Sequence, residues 1–177
     1  MARCLTALAG AALVLARSMP AQQSVHLEEL TWTEARDAIK GGKTSVIIPT
    51  GGTEQNGPHM VLGKHNFIIH YTAGEIARQL GNALVAPVLA YVPEGNIDPP
   101  SGHMRMAGTI TLPNEHFMKV LEWAARSLRV HGFTDILLIG DSGGNQNGMK
   151  SVADQLNAEW AETGTRVHFI PDYYSNN

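Results

Sequence analysis

The chain has 177 residues, 44% apolar and 16% charged, with a formal net charge of −3. That length and balance fit one globular domain with its own core and exclude a disordered or fibrous chain. The absence of a basic stripe interleaved with aromatics argues against a nucleic-acid partner, and a single cysteine, Cys4, excludes a disulfide scaffold.

Residues 1–21 read as a secretory signal peptide. Arg3 gives a positive start, an apolar run follows from Leu5 to Ala16, and Ser18-Met19-Pro20-Ala21 offers a small-residue exit. The run is too short to span a bilayer. The expectation is an exported protein with no membrane segment after cleavage, no cysteine and a net charge of about −5. Residues 22–177 are then one domain.

Thr31 and Glu34 form a capping box that opens a short helix, which Gly41-Gly42 closes. A β-branched strand at 43–49 leads into a loop at 51–66, longer than most strand–helix connections and therefore a place to look for function. The loop holds Glu54, Gln55, Asn56, His59 and His65 among four glycines and Pro58. Ile69, Ala73, Ile76 and Leu80 have helical spacing, so a helix is expected over 66–80. A second strand at 83–88 precedes an irregular stretch at 91–107 carrying Glu94, Asp98, His103 and Arg105. A short strand at 109–112 comes next, then a helix from 114 to about 131 with Phe117, Val120, Leu121, Ala124 and Leu128 on one face. An apolar strand at 135–139, a Gly-rich turn at 140–145, a helix reaching Gly164 and a last strand at 167–170 complete the chain.

Strands alternating with helices predict parallel βαβ units, and near-continuous apolar strands predict a sheet covered on both faces. The loop at 51–66 and the turn at 140–145 both leave strands at their carboxyl ends and so share one rim, where ligands bind in such sheets. Glu54, His59, His65 and Asp141 are placed to converge there, an O/N set suited to zinc or manganese. Each also has a plain role, as helix cap or loop brace. Ser142 lies in Gly140-Asp141-Ser142-Gly143-Gly144, which fits the nucleophile-elbow pattern. The same letters occur in trypsin-like proteases, whose β-barrels do not fit this alternation. As an elbow it lacks partners: only Asp154, Asp172 and His168 follow it, none well placed for a triad.

The run Gly52-Thr53-Glu54-Gln55-Asn56-Gly57-Pro58-His59-Met60-Val61-Leu62 resembles the signature of the creatininase (creatinine amidohydrolase) family. The likeness extends to Leu30-Thr31-Trp32, Ser101-Gly102-His103, Gly108-Thr109-Ile110 and Gly143-Gly144-Asn145. It implies a three-layer αβα sandwich with a mainly parallel sheet, a homo-oligomer, and a metal-dependent hydrolase of non-peptide amide bonds in small molecules. Resemblance, shared rim and elbow pattern together make Glu54, His59 and, as an elbow nucleophile, Ser142 the candidates at the reacting group, Asn56, His103 and Asn145 those toward substrate, and Glu54, His65 and Asp141 those toward metal. Where the family has histidine, aspartate and histidine, this chain has Asn56, His65 and Ser142; Gly144 stands where some members have a glutamate ligand. A His-Ala-Gly-Glu stretch that follows in the family has no counterpart before Asn177, so the domain at 22–177 is expected to be incomplete at its C-terminal end. These exchanges lower the expected metal content from two ions to one zinc or manganese at most, or none. The alternatives are a non-catalytic binding relative and, third, a serine hydrolase using Ser142.

Overall fold

The computed structural model describes residues 24–176. The expected signal peptide at 1–21 and the chain end at Asn177 lie outside them.

Thr31 caps the first helix, α1 (Trp32–Lys40), and both hydrogen bonds of the capping box form with Glu34. The first strand, β1 (Ser45–Thr50), is buried at every position. It is followed by α2 (Lys64–Leu80), β2 (Ala83–Val85), α3 (Asn114–Val130), β3 (Asp135–Gly140), α4 (Gln146–Glu159), β4 (Arg166–Phe169) and the single-turn α5 (Asp172–Ser175). The four strands form one parallel sheet in the order β2-β1-β3-β4.

Because side chains alternate along a strand, β1, β2 and β3 bury residues on both faces, while β4 buries only Val167. Val46, Ile48, Ile136 and Leu138 pack with Phe117 and Leu121 of α3 and Met149, Val152 and Leu156 of α4. Ile47 and Ile139 face the other way, onto Ile69, Ala73 and Ala77 of α2. The result is the αβα sandwich that the resemblance implies, its sheet covered on both faces as the apolar strands predict. Pro49 sits in an inner strand because β2 ends at Val85, opposite Ile47, so no ladder residue needs its missing N–H.

Four boundaries differ from the sequence expectation. The second strand stops at Val85 rather than 88: Ala86 N still donates to Ile47 O, but Pro49, next along that edge of β1, has no N–H to continue the ladder. Residues 109–112 are not a strand of the sheet. They make two isolated bridges, Thr53 with Ile110 and Val92 with Thr111, because Pro113 ends the run and starts α3. The fourth helix ends at Glu159 instead of 164: the Trp160 indole turns into the core, and Thr163 bonds back to the Trp160 carbonyl. The second helix begins at Lys64, so Lys64 and His65 belong to its first turn rather than to the preceding loop.

Candidate active site

From β1 the chain crosses by α2 to β2 on one side, whereas β3 lies on the other side of β1. This reversal opens a crevice at the carboxyl ends of the inner strands, the usual ligand position in an open α/β sheet. A cleft of about 910 Å³ lies there. Glu54 reaches it from the segment after β1, Glu94 from the segment after β2, His65 from the first turn of α2 and Asp141 from just beyond β3. His103 arrives on a 3-10 turn, Gly102–Arg105.

Residues 109–111 stitch the two loops that carry the acids. Ile110 N donates to Thr53 O, while Thr111 Oγ1 accepts from Glu94 N at 3.0 Å and donates to Gly95 O at 2.9 Å. At Gly52 a Cβ would stand 2.5 Å from Glu94 Oε1, so a side chain there would displace the Glu94 carboxyl group. Glycine is required at Gly95, which has a φ of +128° and no room beside Ser101 O.

Glu54 uses its two oxygens differently. Oε1 accepts from His65 Nε2 at 2.8 Å, and His65 Nδ1 donates to Asp141 Oδ2 at 2.7 Å. Both imidazole nitrogens therefore hold protons against carboxylates. The Asp141 and Glu54 bonds outweigh burial and raise the His65 pKa to about 9. The expected metal trio Glu54, His65 and Asp141 does come together, but as a hydrogen-bonded row in which neither ring nitrogen has a free lone pair. The other oxygen, Glu54 Oε2, is buried without a hydrogen-bond partner, and so is Glu94 Oε1. His103 Nδ1 lies 3.3 Å from Glu54 Oε2. One ligand atom each from Glu54, Glu94 and His103 falls within 4.8 Å of the others.

Burial, then the neighbouring Glu54 carboxylate, pushes the Glu94 pKa up to about 9. Burial works the same way on Glu54, but there the bond to His65, the neighbouring Glu94 carboxyl and the His103 charge prevail and hold it at about 2. Two facing carboxyl groups in a buried place require either a proton or a cation between them. Two carboxylate oxygens and one imidazole nitrogen suit zinc or manganese, so the residues fit one divalent ion.

The other expected residues are dispersed. Asn56 and Ser142 line the cleft; His59 is exposed and does not. Ser142 has ordinary extended backbone, φ −125°, without the strain of an elbow, and among the described residues no imidazole bonds to its hydroxyl. Asn145 is fully buried behind the cleft, where its Nδ2 donates to Gly51 O and to Thr50 O and Oγ1. Glu94 is the site residue that motif reasoning did not assign. Its signal was its position: an acid on the segment after the second strand, hence on the same rim.

The family model described as creatinine amidohydrolase (Creatininase) matches residues 28–176. The mycofactocin precursor peptide peptidase of Mycolicibacterium smegmatis is 28% identical over 140 residues, 72% of this chain and 51% of that protein. Creatinine amidohydrolase of Pseudomonas putida is 28% identical over 117 residues, 66% of this chain and 44% of that protein. A solved creatininase in its Mn form superposes with a TM-score of 0.71 at 25% identity, covering 84% of this chain and 58% of that one. The chain thus spans about half the length of the curated relatives it matches.

Proposed function

This chain belongs to the creatininase (creatinine amidohydrolase) family, and we propose that it hydrolyses the C–N bond of small amides with one divalent ion held by Glu54, Glu94 and His103. The observation that carries this reading is the facing pair of buried, unpartnered oxygens, Glu54 Oε2 and Glu94 Oε1, with an imidazole nitrogen inside the same 4.8 Å. The named relatives act on a peptide precursor and on creatinine, so the proposal is set at the level of the amide bond.

When bound, zinc or manganese supplies Lewis-acid polarisation of an amide carbonyl and activation of a water for attack. The chain's own residues prepare the place. Asp141 orients His65, and His65 fixes Glu54 Oε1, which leaves Oε2 aimed into the cleft. Proton movement falls to the same row, which holds a proton on His65 Nε2 at 2.8 Å from Glu54 Oε1. Gln55 and Thr109 brace the backbone next to Glu54 through a 3.3 Å bond.

The test is metal content by mass spectrometry together with amidase assays on small amides. Chelation is expected to abolish activity, and zinc or manganese to restore it. Glu94→Gln, Glu54→Gln and His103→Ala are each expected to lower metal retention by more than roughly tenfold, since an ion that loses a ligand loses much of its affinity. Activity that survives chelation, or full occupancy in all three variants, overturns the proposal; an ion held without turnover supports the non-catalytic binding alternative.

Two further parts of this reading stand on surface and sequence. Val61, Phe67 and Tyr71 leave an apolar, aromatic strip exposed along the start of α2, which supports assembly with further copies; sedimentation measures it. The apolar run after Arg3 supports export, and N-terminal sequencing of the mature protein should then begin at Gln22.

A further inference from the structure

Lys64 lines the cleft from the first turn of α2. Its ammonium donates to Asn56 Oδ1 at 2.8 Å, and Asn56 Nδ2 in turn donates to the Glu54 carbonyl at 3.3 Å. The lysine is thereby tied, through one neutral amide, to the backbone of the residue that also reaches into the acid cluster. An ammonium has three donors, and this contact uses one.

The acids of the cleft are otherwise engaged. Glu54 and Asp141 are taken up by His65, and Glu94 faces Glu54. Among the described residues no carboxylate pairs with Lys64. A half-buried cation on a cleft wall, oriented but not neutralised, favours a ligand that brings its own negative charge.

We propose that Lys64 sets the specificity of this cleft: it admits amides that carry a carboxylate, seating that carboxylate on its ammonium while the amide carbonyl faces Glu54, Glu94 and His103. This rests on the amidohydrolase reading above. Asn56 is then a positioning residue, which fixes the distance between the anion seat and the acid cluster. A cyclic or capped amide without a charge gains nothing from the seat. A small N-acyl amino acid gains a charge-assisted hydrogen bond.

The experiment is a calorimetric titration with two probes of nearly the same shape, the anionic N-acetylglycine and the neutral N-acetylglycinamide. Each is titrated into the native chain, Lys64→Met and Lys64→Arg, both zinc-loaded and in chelator. The native chain is expected to bind the anionic probe about tenfold more tightly, the usual worth of a hydrogen bond to a charged group. Lys64→Met should lose that preference, and Lys64→Arg should keep it. Equal affinities in the native chain, no binding of either probe, or a preference unchanged in Lys64→Met overturns the proposal. The chelator arm separates the two claims. If the chain holds no zinc, the hydrolase reading falls, while the charge preference is still read from the same titrations.

Discussion

His65 and Glu94 both bind their protons more tightly in the folded chain than in the unfolded one. His65 rises to about 9 from 6.5, through its bonds to Asp141 and Glu54. Glu94 rises to about 9 from 4.5, through burial and the neighbouring Glu54. The folded state then carries the extra protons, so stability falls as pH rises. The His65 contribution is complete below pH 6.5 and is lost as pH passes 9. Glu54 acts with the opposite sign, but only in acid, where its stabilisation is lost as pH falls from 4.5 toward 2. Thermal melts in chelator are therefore expected to show the metal-free chain weakening steadily from pH 6 to 9. A flat or rising melting temperature across that range would contradict the proton assignments. Under the proposed function a divalent ion would replace the Glu94 proton, so added zinc should protect most at the alkaline end.

Helix α1 shows how far local signals reach at the scale of an element. Thr31 Oγ1 accepts from Glu34 N and Glu34 Oε2 accepts from Thr31 N, so two backbone donors of the first turn are served within four residues. Nothing distant is needed for that contact, and the capping box was readable as letters. Thr31→Ala is expected to cost about 1 kcal/mol in denaturant unfolding, with an unchanged m-value. A change within experimental error would mean that α1 is held only by the packing of Ala38 and Ile39 against the core. Contrast the pair α3 and α4, joined by Arg126, which reaches Glu122 on its own helix and Glu159 on the next. The Glu122 contact follows from i,i+4 spacing. The Glu159 contact spans 33 positions and depends on two helices lying side by side on one face of the sheet. Periodicity within either helix does not state that arrangement.

Across the whole molecule, Asn145 joins the two halves of the sheet at the point where the connections reverse. It sits beyond β3 yet donates to the last residue of β1 and to Gly51. Asn145→Ala should leave those buried acceptors bare and cost roughly 2–3 kcal/mol. Because the Glu54 segment starts there, metal retention should weaken in the same variant, as mass spectrometry would show. Unchanged stability would mean that water replaces the amide. The sequence by itself determined the strand–helix alternation, the parallel sheet covered on both faces, the rim that carries chemistry and the resemblance carried by residues 52–62. All of these rest on periodicity or on short runs, which are local properties of the chain. Strand ends were less legible, since the second strand stops where Pro49, on the strand beside it, offers no N–H. Only the tertiary structure decided which acids meet. It placed Glu94, 40 positions beyond Glu54, against it in a buried crevice, and it enclosed His65 between two carboxylates. Burial and a neighbour's charge set whether a carboxyl group holds a proton or accepts a cation, and both are properties of the assembled fold.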